Sequence, residues 1–300
     1  MPIAFLALLL VLAPLLPGVA TKTRALLTGR RGAPVLQLYS DLAKLSRKGV
    51  VYSTTTTWIF RLAPVAVTVT ALIAACLLPL DGRESVLSFS GDLIAFASLL
   101  ALGRFTLVLA GLDTGSSFEG MGASREVTFA SFAEPALFLC FVALAQATGT
   151  LSLAGMLGTP LADAWPTAGP SLLMVGAALF AVLLAETSRV PVDDPATHLE
   201  LTMIHEVIVL DHSGPDLALI LYGGALKLAL FGAVLVGVLV PRAHLPPPAA
   251  LGLLVGGLLA VAVLVGVVES VMARLRLDRV PQFLVAASAL AFLAVILLLW

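Results

Sequence analysis

The residues Ala185 to Glu206, AETSRVPVDDPATHLELTMIHE, concentrate the ionisable chemistry of this chain. Six charged side chains (Glu186, Arg189, Asp193, Asp194, Glu200 and Glu206) and two of the four histidines fall within 22 residues. They follow directly on the apolar run SLLMVGAALFAVLLA. Spacing argues against a shared metal ion. His198, His205 and His212 are seven residues apart, two helical turns or about 10.5 Å on a straight helix. A metal–nitrogen bond is about 2 Å, so two such histidines cannot hold one ion, and the H-E-x-x-H spacing is absent. No G-x-S-x-G or other nucleophile arrangement supports a hydrolase. Cys76 and Cys140 both sit inside apolar runs and no C-x-x-C exists, so neither a zinc ribbon nor an iron–sulfur cluster can be built from this chain. They read as small core hydrophobes. If the protein serves redox chemistry, its electron carriers lie in other chains. The cluster is left as the mouth of a polar cavity, a docking surface, or a merely solvated loop.

Three further ionisable residues interrupt apolar segments: Arg104 in LLALGRFTLVLAGL, Glu134 in TFASFAEPALFLC and Lys227 in LYGGALKLALFGAV. Glu186 closes a fourth. A charge at the bilayer centre costs several kcal/mol, so such residues face a protein interior and act there. Glu134 reads either as a protonatable group in a proton path or as the structural partner of an arginine. Lys227 is either buried for function or snorkels to the interface. Arg104 and Glu134 are a candidate pair across adjacent antiparallel helices.

Composition identifies the elements that must position these groups. The chain has 300 residues, 60% hydrophobic and 12% charged, with a mean hydropathy of +1.07. Soluble domains run nearer 45–50% apolar and about 25% charged, so this is an all-α polytopic membrane protein. A spanning helix needs about 20 apolar residues. Eight segments qualify, near 2–20, 61–80, 92–110, 129–148, 171–187, 217–240, 249–268 and 283–300. The first lacks the basic n-region of a signal peptide and reads as a retained helix. With the N-terminus outside, the connections 21–61, 111–128, 188–216 and 269–282 carry thirteen of the seventeen Lys and Arg residues, so the positive-inside rule makes them cytoplasmic. Both termini then lie outside a cell inner membrane.

The reading is a single membrane domain over 1–300, with 21–60 a cytoplasmic connection, 188–216 an acidic one and 269–282 a basic one. Within the first, GRRGAPVLQLYSDLAKLSRKG sets Val35, Leu36, Leu38, Leu42 and Leu45 near helical spacing against Gln37, Asp41, Lys44 and Lys48. That predicts an amphipathic helix at the interface or packed on the protein's own cytoplasmic face. In the acidic connection, Pro191 ends the preceding helix. PATHLELTMIHEVIVL predicts a short helix with Asp194 as N-cap and Pro195 at its first position.

These segments resemble the membrane subunit common to respiratory complex I and the membrane-bound nickel–iron hydrogenases. GRRGAPVLQLYSDLAKL resembles that family's amphipathic helix, with Gln37, Asp41 and Lys44 at matching places. GASREVTFASFAEP resembles its segment carrying an arginine, here Arg125, and nine residues on an intramembrane glutamate, Glu134. AETSRVPVDDP resembles the E-T-x-R-x-P-F-D-x-P signature through Glu186, Thr187, Arg189, Pro191, Asp193 and Pro195, and the acidic helix after it keeps Glu200. VMARLRLDRVPQFL resembles the basic loop before the last span, with Arg274, Arg276 and Arg279. DDPATHLELTMIHEVIVLDHSGPDLALI is similar to the form used by the hydrogenase-4 and formate hydrogenlyase branch. Ala196 and His198 replace further acids of complex I, Asp211 and His212 replace a Glu–Tyr pair, and Lys227 replaces an acid. These departures favour the hydrogenase branch and count against a quinone.

The resemblance implies an anchor for a hydrophilic redox arm that couples electron transfer to proton or sodium movement and holds no redox cofactor itself. Iron–sulfur clusters and a nickel–iron centre would belong to large, small and iron–sulfur subunits docked on the cytoplasmic face, with antiporter-like subunits beside it in the bilayer. Ion coupling would fall to Glu134, Glu186, Arg189, Asp193, Glu200, Glu206, Lys227, Arg104 and Arg125. Docking would fall to Gln37, Asp41, Lys44, Asp211, Arg274, Arg276 and Arg279. A quinone-site subunit of a complex I-type NADH–quinone oxidoreductase and a stand-alone ion transporter are the alternatives, with a purely structural anchor beside them.

Overall fold

The computed structural model describes residues 2–194 and 203–299, which are helical and contain no strand. In chain order the helices are α1 (Pro2–Leu12), α2 (Leu15–Leu27), α3 (Gln37–Leu45), α4 (Trp58–Leu77), α5 (Asp92–Asp113), α6 (Ser117–Thr148), α7 (Leu153–Met156), α8 (Thr159–Glu186), α9 (His205–Ile208), α10 (Gly214–Leu239), α11 (Pro247–Val271) and α12 (Val280–Leu298). Seven of them, α4, α5, α6, α8, α10, α11 and α12, are long and apolar enough to cross a bilayer. The eighth expected span is broken. α1 and α2 meet at a 44° bend, where Pro14 removes a helix donor and clashes with the preceding turn.

Two helices start well before their apolar runs, α6 at Ser117 rather than 129 and α8 at Thr159 rather than 171. The first turns of α6 carry Glu119, Arg125 and Glu126, which hydropathy reads as loop. They are helical because they pack on the segment around α9. At 1.5 Å per residue α6 is about 48 Å long, against a hydrocarbon core of about 30 Å. Its charged turns therefore extend beyond the core while Glu134 lies near its middle. The connections shrink correspondingly, to 28–57, 187–213 and 272–279. α3 forms where the amphipathic pattern predicts it and has no buried residue.

α10 runs through the middle of the bundle. Leu226, Leu228, Ala229, Leu230 and Phe231 are all buried, so the helix is apolar on every side, the mark of a core helix. Lys227 on such a helix has no open face to point toward. Close approach to α4 comes from two glycines. A Cβ on Gly103 of α5 would sit 2.6 Å from Thr70 Oγ1, and one on Gly223 of α10 would sit 2.7 Å from Val67 Cγ1. Arg104 is the next residue along α5 and Lys227 lies one turn on along α10, so this packing sets the depth of both cations.

Candidate functional site

Four charges from four spanning helices meet inside the bundle. Arg104 Nη1 on α5 donates to Glu186 Oε1 at the end of α8, 2.5 Å away. Its Nη2 contacts Glu134 Oε1 on α6. Lys227 Nζ on α10 reaches Glu186 Oε2 at 2.6 Å. The predicted Arg104–Glu134 pair is thus present and extends to a quartet. Lys227 turns inward to Glu186 rather than snorkelling. The side chains of Glu186 and Arg104 are 5% and 9% exposed, whereas that of Glu134 is 42% exposed. Two cations and two carboxylates make the set neutral when all are ionised, so one proton gained or lost leaves a net charge in a low-dielectric interior. Such a charge is felt by every neighbouring titratable group.

A second layer of ion pairs holds the connection that follows α8. Arg189 Nη1 meets Glu269 Oε1 of α11 at 3.1 Å, and Arg24 of α2 grips both oxygens of Asp194 at 2.7 and 3.0 Å. Asp193 is the busiest acceptor. Its Oδ1 pairs with Arg274 at 3.0 Å and takes the Asp194 N–H, while its Oδ2 takes the N–H groups of Ile204 and His205 at 3.2 and 3.1 Å. One buried carboxylate thereby ties the outgoing and returning strands of the connection together. Arg125 Nη1 donates to the Met203 carbonyl at 2.9 Å, bracing the same return from α6.

Between these layers lies a cavity of about 230 Å³. Arg104, Glu126, Glu186, Lys227, His205 and Glu206 supply its polar side, and Val67, Leu100, Leu107, Ile220 and Leu228 its aliphatic wall. A smaller cavity of about 110 Å³ lies on the other side of Arg104, against Glu134, Ser98, Phe138 and Phe231. Burial pushes the His205 imidazole below the usual histidine range. Glu126 and Asp193 pull it back up and Lys227 pushes it further down. His212 stacks on Phe60 with ring centroids 3.9 Å apart, and burial pushes it down to about 4, so it is a neutral packing residue at physiological pH. Among the described residues no three His, Cys, Asp or Glu side chains are grouped to hold a metal ion.

The sequence-predicted residues divide accordingly. Arg104, Glu134, Glu186 and Lys227 converge, Arg189, Asp193 and Glu206 line the cavity, and Arg125 bonds to the connection at Met203. Glu200 lies outside the described residues, as do most of the helix expected over 195–210 and the capping role given to Asp194. The described part of that helix is the single turn α9. Of the docking residues, Arg276 pairs with Asp278 at the surface, Arg279 and Asp211 are exposed, and Gln37 donates to Asp41 within α3, where Lys44 sits 3.9 Å from Asp41. Arg274 is half-buried and pairs with the buried Asp193 carboxylate. Sequence reasoning passed over Glu126, Glu269 and His205. Glu126 stands in a polar turn beside Arg125, Glu269 sits at the rim of an apolar run, and the spacing of His205 bears only on metal binding.

The sequence pattern of the family described as NADH dehydrogenase matches residues 1–300. The chain is 35% identical over 306 residues to formate hydrogenlyase subunit 4 of Escherichia coli (strain K12), covering 99% of this chain and 98% of that one. It is 36% identical over 234 residues to hydrogenase-4 component C of the same organism, covering 78% and 73%. Its fold superposes with a TM-score of 0.85 on a chain of the membrane-bound sulfane sulfur reductase, an archaeal respiratory membrane complex, at 21% identity and with 99% and 98% covered. A polytopic bundle matched along its whole length in this way belongs to the NADH dehydrogenase family.

Proposed function

We propose that this chain is the membrane-anchor and coupling subunit of a complex I-like membrane-bound hydrogenase of the formate hydrogenlyase and hydrogenase-4 type. The observation that carries the reading is the neutral quartet Arg104–Glu134–Glu186–Lys227, placed directly beneath a cavity whose mouth is ringed by Arg189, Asp193, His205 and Glu206. A change of charge at the mouth acts on the quartet through a low-dielectric interior, so the quartet exchanges a proton with its surroundings in step. The face bearing 28–57, 187–213 and 272–279 is the cytoplasmic one in this reading. Arg276, Arg279, Asp211 and α3 there receive large, small and iron–sulfur subunits that carry the nickel–iron centre and the clusters. Glu134 is half-exposed near the middle of α6. A carboxylate at that depth is expensive against lipid, which favours an antiporter-like membrane subunit over that face.

The test is Glu134→Gln in the assembled complex reconstituted in liposomes. Hydrogen turnover accompanied by a several-fold smaller proton or sodium gradient is the expected result; an unchanged gradient sinks the coupling role. The cavity favours a second reading, a quinone-site subunit of an NADH–quinone oxidoreductase. Its aliphatic wall suits an isoprenoid chain, but among the described residues no Phe, Tyr or Trp lines it to hold a ring. Quinone-dependent activity of the purified complex supports that reading over the first. Ion flux through the chain alone in liposomes supports a stand-alone transporter.

A further inference from the structure

Two ionisable residues at the cavity mouth stand apart from the quartet. Glu126 lies on α6 eight residues before Glu134, about 12 Å nearer the start of the helix. It lines the large cavity and also a narrow crevice shared with Arg104, Asp193 and Ile204. Arg104 is engaged by Glu134 and Glu186, and no cation among the described residues comes within ion-pair distance of Glu126. Glu126 therefore shares the crevice with the Arg104 guanidinium without bonding to it, and its carboxylate faces the cavity with no ion-pair partner in contact among the described residues. His205 opens into the same cavity and its charge responds to Glu126. Its backbone is fixed by the 3.1 Å bond from its N–H to Asp193 Oδ2. Imidazole is the side chain whose charge changes most readily near neutral pH.

We propose that Glu126 and His205 form a proton-relay pair at the cavity mouth, one that loads and unloads the Arg104–Glu134–Glu186–Lys227 quartet. The proposal rests on the coupling reading above and assigns the group that first takes the proton. In the inward step a hydronium ion in the cavity gives its proton to an imidazole nitrogen of His205 and leaves as water. The imidazolium then passes a proton through water in the cavity to the Glu126 carboxylate, which becomes a carboxylic acid while the imidazole returns to neutral. No electron moves, and the reverse sequence carries a proton outward.

The charged groups acting on His205 are Glu126 from α6, Asp193 from the 187–213 connection and Lys227 from α10, with Glu206 beside it on the cavity wall. Lys227 disfavours a proton on His205 while it is itself charged. A quartet that has lost positive charge therefore draws the next proton onto the histidine, which gives the relay a direction set by the state of the quartet.

Diethyl pyrocarbonate acylates neutral imidazole, so His205 in the assembled complex is titrated by its extent of modification across the acid-to-neutral range, read by peptide mass spectrometry. His244, exposed on the opposite face, is the internal control. Glu126→Gln removes the anion that favours the imidazolium and moves the His205 midpoint to lower pH, whereas Glu126→Asp keeps it near the parent value. A midpoint unmoved by Glu126→Gln overturns the pair. In liposomes, the number of protons moved per hydrogen turned over falls several-fold in His205→Asn and in Glu126→Gln, with no further fall in the double variant. A full ratio in assembled His205→Asn likewise overturns it. If the parent complex moves no ions, the coupling reading fails while the midpoint still decides the pair. Both Glu126 variants keep the histidine and its packing on α6, so the titration does not depend on a destabilised chain.

Discussion

Glu186 and Glu134 are both carboxylates bonded to Arg104, yet they sit in different physical situations. Glu186 is bonded through both oxygens, one to Arg104 and one to Lys227, and is almost wholly enclosed. Replacing it with glutamine leaves two cations facing a single, half-exposed carboxylate. An uncompensated buried charge costs about 3–5 kcal/mol, a large part of the stability of an ordinary domain. Glu186→Gln is therefore expected to cut the yield of assembled complex in the membrane more than tenfold, measured by native electrophoresis. Glu186→Gln with Lys227→Met, which restores the balance of charge, recovers most of that yield. Glu134→Gln assembles near the parent level, because its oxygens are partly open and Arg104 retains Glu186. Equal yields for Glu186→Gln and Glu134→Gln would show that burial does not separate the two roles.

At the level of helices, how much was legible in the sequence depended on contrast. Arg104, Glu134 and Lys227 could be read because each breaks a long apolar run, and a charge in such a run has few physical reasons to be there. The same hydropathy contrast located the spans. It failed where polar turns continue a helix beyond the hydrocarbon, as in the start of α6, since tertiary packing on α9 rather than local apolarity holds those turns. It also failed for Glu269, whose partner Arg189 is eighty positions away in sequence and adjacent only after α8 and α11 are packed. The exposed side of α5 and α6 carries a further consequence. Leu102, Phe105 and Phe138 are open there beside the half-exposed Glu134, and lipid is a poor neighbour for that carboxylate. A photoreactive phenylalanine analogue at Phe138 in native membranes is expected to yield an adduct with another membrane polypeptide. Adducts with lipid alone would remove the argument for a protein neighbour on this face.

The whole molecule is polarised, and its polarity makes the assembly reading testable in one experiment. Thirteen of seventeen basic residues belong to the connections on one face or to the helix ends that adjoin them. On the other, Arg83 is spent on the carbonyls of Ala243 and Leu245, at 3.0 and 2.9 Å. Arg242 is buried, and burial pushes its guanidinium down to about 10 against the pull of Asp81. In the proposed orientation, which follows the positive-inside rule, the basic face is cytoplasmic, and the quartet, the cavity mouth and the exposed Arg276 and Arg279 all lie toward it. A redox arm docked there is next to the charges it must move, whereas one on the opposite face is separated from them by the thickness of the bundle. In a Cys76→Ala, Cys140→Ala background, a cysteine at His244 or Asp163 should react with a membrane-impermeant maleimide added to intact cells. A cysteine at Arg276 or Asp278 should react only after permeabilisation. The reverse pattern would put the cavity mouth outside the cell and away from any cytoplasmic electron donor, and the anchor-and-coupling function could not stand with that orientation.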